Sequence, residues 1–189
     1  MKNQFFERDS LSPVLWKNGG GITREIATSK DGDPFWRLSI ADVTAEGAFS
    51  VFPGLQRILT VVEGKGMILL GDEETIHARP LTPLSFSGSL PVTGKLVEGP
   101  VQNFNLIYDA AKLDAEVRVL PFEERSEHKK RKPVFVASYC VKGAVRATDV
   151  NLQENQGCYG THETDFEIGS GSILIKISLF GRSFQASQF

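Results

Sequence analysis

The sequence predicts an all-β protein, a jelly-roll barrel. Two observations lead there. Runs of roughly four to eight residues alternate apolar and polar side chains, the period of a half-buried strand. The runs are broken by turn residues, with 18 Gly and 9 Pro in 189 residues, at spacings that suit a sandwich or barrel rather than alternating βα units. A single stretch, Asp109–Glu116, reads as a helical turn.

The elements follow in order. Phe5 to Pro13 reads as a strand or extended arm leading into a turn, and Val14-Leu15-Trp16 brings the chain to Gly19-Gly20-Gly21. Three consecutive glycines cost conformational entropy, so the backbone must do something unusual there. Ile22–Thr28 is a strand. Lys30-Asp31-Gly32-Asp33-Pro34 is a turn, and Phe35–Val43 is the strand that returns to pair with Ile22–Thr28. Gly47–Gly54 is a compact aromatic loop ended by Pro53-Gly54. Gln56–Val62 is a strand, Glu63-Gly64-Lys65-Gly66 reads as a hairpin turn, and Met67–Leu70 as its return strand. Thr75–Ala78, Leu84–Phe86, Lys95–Val97 and Val101–Tyr108 are further short strands.

The second half is also β. Glu123–Pro133 is a mixed charge run that reads as a solvated linker or exposed hairpin. Strands follow at Val134–Val141, Ala144–Leu152 and Ile173–Leu179, with turns at Lys142-Gly143 and near Gln156-Gly157. The domain division expected is an N-terminal barrel over 1–120 and a smaller C-terminal β region over 121–189, a degenerate copy packed on it.

Composition narrows the function. A formal charge of −2 argues against broad nucleic-acid or membrane-surface binding, both of which need a basic footprint. No secretory leader and no spanning segment is expected, which points to the cytoplasm. Two cysteines without CxxC spacing read as reduced thiols. The three histidines, His77, His128 and His162, form no HxH pair, so no metal is expected. The glycine run lacks the Lys-Ser/Thr end of a phosphate loop and precedes a strand, so nucleotide binding by that route is not expected. No nucleophile elbow is present.

What remains is a set of polar groups near strand mouths. Within Ile22–Thr28, Arg24 shares the apolar face with Ile22 and Ile26. A charge there needs a partner, which is either a protein carboxylate (Glu25, Asp42 and Glu98 are available) or an anionic ligand. Arginines bind carboxylates bidentately, and Asn and Thr add directional bonds. The candidate binding residues are Trp16, Asn18, Thr23, Arg24, Ser50, Arg57, Phe86 and Asn105. Arg37 reads as structural, and Phe49 and Phe52 read as core before ligand wall.

The blocks Trp16–Glu25, Trp36–Ala41 and Gly47–Arg57, with Gly64–Gly66, Phe86–Gly88 and Asn103–Leu106, make the chain resemble the HutD/Ves family of cupin-like proteins. The blocks cover about residues 10 to 108; beyond them the match is by position and β character. The resemblance implies a double-stranded β-helix (cupin) fold, as a bicupin with a reduced second barrel, and no metal-binding histidine cluster. It further implies a regulator of histidine utilisation that binds urocanate or formylglutamate, or a stress-associated protein. The expected partner is a small carboxylate, with no cofactor, no nucleic acid and no membrane, and with a homodimer possible. The alternatives are a metal-independent isomerase or hydrolase, for which His77 is the candidate acid or base, and a structural or partner-binding protein.

Overall fold

The computed structural model describes residues 3–121 and 131–182. The strands are β1 (Gln4–Glu7), β2 (Pro13–Leu15), β3 (Gly21–Thr28), β4 (Trp36–Val43), β5 (Gly47–Ala48), β6 (Gln56–Glu63), β7 (Met67–Leu70), β8 (Thr75–Ala78) and β9 (Leu84–Ser87). They continue with β10 (Thr93–Leu96), β11 (Val101–Tyr108), β12 (Leu113–Leu120), β13 (Phe135–Lys142), β14 (Ala144–Ala147), β15 (Val150–Gln153), β16 (Gln156–Gly160), β17 (Glu167–Ile168) and β18 (Ile173–Gly181). Among the described residues no helix is long and apolar enough to cross a membrane.

Alternation assigns each sheet face to a layer. The six-stranded sheet runs β2-β3-β4-β11-β6-β9. One of its faces carries Val43, Leu59, Val61 and Val101, which pack on Met67, Leu69 and Ala78 of the four-stranded sheet β5-β10-β7-β8. Its other face carries Leu38, Ile40, Phe104 and Leu106, which pack on Phe135, Tyr139, Ile175 and Ile177 of the five-stranded sheet β1-β16-β13-β18-β12. The far face of that sheet holds Cys140, Cys158 and Leu174 against Val145 and Leu152 of the three-stranded sheet β15-β14-β17. Strand β11 is buried along its whole length because both its faces are covered. The five-stranded sheet draws on both ends of the chain: β1 pairs with β16, and β12 pairs with β18.

Several expectations are met by register. Strands β3 and β4 pair antiparallel from Gly21↔Val43 to Thr28↔Arg37. Others are corrected. Met67–Leu70 is not the return strand of a hairpin, because β7 pairs with β8 and β10 while β6 pairs with β9 and β11. The chain instead crosses from one sheet to the other at Gly64 and Gly66. Gly64 has φ +96, and a Cβ on it would meet the Pro100 carbonyl oxygen at 2.6 Å.

The Asp109–Glu116 stretch makes one turn, with Leu113 N–H donating to the Asp109 carbonyl at 2.9 Å. It then becomes β12, since eight-residue pairing with β18 overrides local helix preference. Ala144–Leu152 is a hairpin, β14–β15, rather than one strand. The turn expected near Gln156-Gly157 lies at Glu154-Asn155, where Asn155 takes φ 68. Of the charge run Glu123–Pro133, residues 123–130 lie outside the described residues.

Candidate functional site

Residues directly opposite in paired strands share a face, so the register places the polar groups between the six-stranded and four-stranded sheets. One cross-strand row reads Thr28, Arg37, Ile107, Arg57, Phe86 over β3, β4, β11, β6 and β9. The next row on the same face reads Glu25, Ser39, Asn105, Leu59, Leu84. A third reads Thr23, Ala41, Asn103, Val61. One end of this interior therefore carries two arginines, two asparagines and a serine, while the core cluster fills the rest.

Arg57 is the centre of the arrangement and is 4% exposed. Its guanidinium carbon lies 5.0 Å from the ring centre of Phe86, 5.4 Å from Phe49 and 5.5 Å from Phe52. Its Nη2 donates to Asn105 Oδ1 at 3.3 Å, and its Nη1 to the Ser50 carbonyl at 3.4 Å. The Arg37 guanidinium carbon also lies 5.3 Å from the ring centre of Phe52, so that ring is shared by two cations. Neither arginine forms an ion pair with a described residue. Three donors on this face, Arg37 Nε, Arg57 Nε and Asn103 Nδ2, are buried with no hydrogen-bond partner among the described residues. Burial first, then the charge of Arg37, pushes the Arg57 guanidinium down from its ordinary value to about 10.

A buried cation ordinarily pairs with an acid or shifts its pKa. Here it meets the neutral oxygens of Asn105 and Ser50 in two long hydrogen bonds and the negative faces of the aromatic rings, at about 0.5–2 kcal/mol each. A face that holds two cations and spare donors but no carboxylate partner suits an anion.

Of the residues expected at a site, the structure brings together Arg57, Asn105, Phe86 and the backbone of Ser50. Trp16 and Thr23 stand at its edge. The Trp16 indole N–H donates to Thr23 Oγ1 at 2.8 Å, and its ring meets Phe49 edge-on at 5.6 Å. Asn18 shapes a loop: its Oδ1 accepts from Gly20 N at 3.0 Å, and its Nδ2 donates to the Ala48 carbonyl at 3.4 Å. Gly21 passes so near β4 that a Cβ on it would collide with the Asp42 carbonyl oxygen, which is why the run is glycine. Arg24 is not part of this cluster. It lies opposite Ile40, on the other face of the sheet, and its Nη1 pairs with Asp42 Oδ2 at 2.5 Å. Gln102 Nε2 donates to the other oxygen of Asp42 at 2.7 Å. His77 is exposed on β8, away from the arginines. Among the described residues no three His, Cys, Asp or Glu side chains are grouped to hold a metal.

The family model described as HutD matches residues 8–175. The chain belongs to the HutD family. A relative from Pseudomonas putida, an uncharacterized 21.2 kDa protein in the hutC 3′ region, is 49% identical over 111 residues. That match covers 56% of this chain and 57% of the relative. HutD from Pseudomonas fluorescens SBW25, solved in a formate condition, is 29% identical with a TM-score of 0.77, covering 96% of this chain and all (100%) of that one. A conserved protein of unknown function from Pseudomonas aeruginosa PAO1 is 26% identical with a TM-score of 0.78, covering 95% and 100%. Oxalate decarboxylase of Bacillus subtilis is 11% identical with a TM-score of 0.59, covering 95% of this chain and 77% of that one; it bears on the fold alone. The fold of this HutD-family chain is the all-β cupin jelly roll.

Sequence reasoning left Arg37, Phe49, Phe52 and Asn103 out of the site. Period-two alternation places Arg37 with Ser39, Ala41 and Val43, opposite Leu38 and Ile40. The usable signal was an arginine that shares a strand face with the small residues Ser39 and Ala41, opposite the apolar Trp36, Leu38 and Ile40.

Proposed function

We propose that this chain binds a small carboxylate inside its first barrel and acts as a regulator in histidine utilisation. The observation that carries the reading is the pair Arg37 and Arg57, both against the Phe52 ring and without a carboxylate partner among the described residues, beside the unpartnered donor of Asn103. A carboxylate would take the guanidinium donors bidentately, with Asn105 and Asn103 orienting its remaining oxygen or amide groups. Both arginines contact the Phe52 ring, so the aromatic loop 49–55 yields when the ligand enters. The relative lying beside hutC supports the pathway, for which urocanate and formylglutamate are suitable carboxylates. The two-barrel reading, with 121–189 as the reduced copy, belongs to the same proposal and is supported by the four stacked sheets.

Calorimetric titration with urocanate and with formylglutamate tests this. Charge-assisted hydrogen bonds contribute about 1.5–3 kcal/mol each, so Arg37→Met and Arg57→Met should each weaken binding by roughly tenfold or more. Binding that is unchanged in both variants, or absent for every small carboxylate tried, refutes it.

One observation favours an enzymatic alternative. Glu25 is exposed and lies in the row next to the arginines, where it could serve as a general acid or base toward a bound acid. Turnover of a small organic acid that is lost in Glu25→Gln but survives metal chelation would establish that reading.

A further inference from the structure

The segment Phe52-Pro53-Gly54-Leu55 is built as a rigid turn. Proline at its second position and glycine at its third, with Gly54 at φ +76, are the residues of a type II turn. Leu55 N–H closes it on the Phe52 carbonyl at 3.2 Å. The turn is clipped to the end of β9. Phe52 N–H donates to the Gly88 carbonyl at 2.7 Å, Gly88 N–H to the Leu55 carbonyl at 2.8 Å, and Gly54 N–H to Ser89 Oγ at 2.9 Å. The fit is close: a Cβ on Gly88 would meet the carbonyl oxygens of Leu55 and Phe52, both at 2.8 Å.

What the turn presents is one ring. Phe52 is half-buried, while Val51, Pro53 and Gly54 around it face solvent. Among the described residues it is the ring that lies against both Arg37 and Arg57, at 5.3 and 5.5 Å. The Nε donors of both arginines are sealed from water by groups that offer them no acceptor. The loop has a second tie to the same pair, since the Ser50 carbonyl accepts from Arg57 Nη1 at 3.4 Å. The clip to β9 therefore holds the loop on one side, and the arginines themselves hold it on the other.

Resting on the carboxylate-site reading above, we propose that Phe52 is an internal competitor for the arginine pair, a built-in plug that keeps the site closed and lowers its affinity. A carboxylate that takes the guanidinium donors removes the ring's contact with both cations and the hold on the Ser50 carbonyl together. The loop is then released on the arginine side and stays attached through Gly88 and Ser89. The ring swings toward the solvent that already meets Val51 and Pro53. Charge-assisted hydrogen bonds are stronger than the ring contacts they replace, so a carboxylate opens the site, and an uncharged compound of the same size does not. Two cation–ring contacts at a partly exposed ring favour the closed form by roughly five- to thirtyfold. The affinity of the site is lowered by the same factor.

Calorimetric titration of the full chain with formylglutamate tests the plug, using wild type, Phe52→Ala, Phe52→Leu and Val51→Ala. Phe52→Ala should bind at least about fivefold tighter than wild type. Phe52→Leu, which keeps apolar cover and guards against a variant that fails to fold, should also bind tighter. Val51→Ala, a change at the exposed tip of the same loop, should stay within about twofold of wild type. Wild type that binds, with both Phe52 variants equal to it or weaker, overturns the plug and leaves the carboxylate site standing. Formylglutamate bound by none of the four proteins overturns both.

Discussion

Replacing Arg57 by Met removes a buried charge while keeping most of the side chain's volume. The magnitude follows from the site. Lowering the guanidinium from its ordinary value to about 10 corresponds to about 3 kcal/mol of cost for keeping it charged in the folded protein. Against this stand the two long hydrogen bonds to Asn105 and Ser50, about 0.5–1 kcal/mol each, and the aromatic contacts, which Met partly replaces through its own sulfur–ring contacts. The terms nearly cancel or favour the variant. Arg57→Met should therefore leave stability between unchanged and about 2 kcal/mol higher, a Tm rise of up to about 8 °C.

The pH dependence has a definite sign. Arg57 binds its proton less tightly when folded, so its cost is fully present below about 10 and is relieved as pH rises from there toward the ordinary arginine value. An arginine in a buried ion pair would behave oppositely, and losing it would cost about 3–5 kcal/mol. Thermal unfolding followed by circular dichroism decides between them. A Tm fall of more than about 5 °C would show that Arg57 is a structural keystone and that the argument for an unmatched charge is wrong.

Three further outcomes are expected. Arg24→Ala should cost about 1–2 kcal/mol in chemical denaturation, because it leaves the half-buried Asp42 with Gln102 as its one side-chain partner among the described residues. Its carboxylate affinity should stay within about twofold of wild type, since effects at separate sites are independent; a large loss would move the site to the other sheet face. Carboxylate affinity should be flat near neutral pH and fall, by up to about tenfold per pH unit, as pH rises through about 10 and Arg57 loses its proton. Calorimetry at stepped pH reads this, and an affinity flat beyond that range would exclude Arg57. Both cysteines are buried, and burial raises Cys140 as it does Cys158. A thiol reagent should find neither in the native protein and both after denaturation; rapid native labelling would contradict the packing.

The fold was legible wherever one face of a strand is buried, because alternation then carries the register. Phe35–Val43 and Gln56–Val62 show this. The signal weakened where pairing partners are distant in sequence. Met67–Leu70 looks like a hairpin return, yet which sheet it joins is decided by β10, far along the chain. Asp109–Glu116 reads as helical until β18 is there to pair with it.

At the site, Arg57, Asn105 and Phe86 were readable as a cluster of polar and aromatic types near strand ends. Arg24 drew attention because its strand neighbours Ile22 and Ile26 are apolar, but both faces of this sheet are covered. An apolar neighbour therefore does not say which barrel a side chain enters. Its partner Asp42 was among the acids considered, and two residues of separation from Ile40 put it on the same face. Arg37 was harder to find, because its relation to Arg57 exists only through Ile107 on the strand between them.

The central claim is that Arg37 and Arg57 form a carboxylate site. A crystal structure of the chain soaked with formylglutamate tests it most directly. The account predicts carboxylate oxygens within hydrogen-bond distance of both guanidinium groups, with the Phe52 ring displaced from its contact with them. A ligand seated against Arg24 and Asp42, or a structure in which Phe52 keeps its place and no carboxylate reaches either arginine, would contradict it.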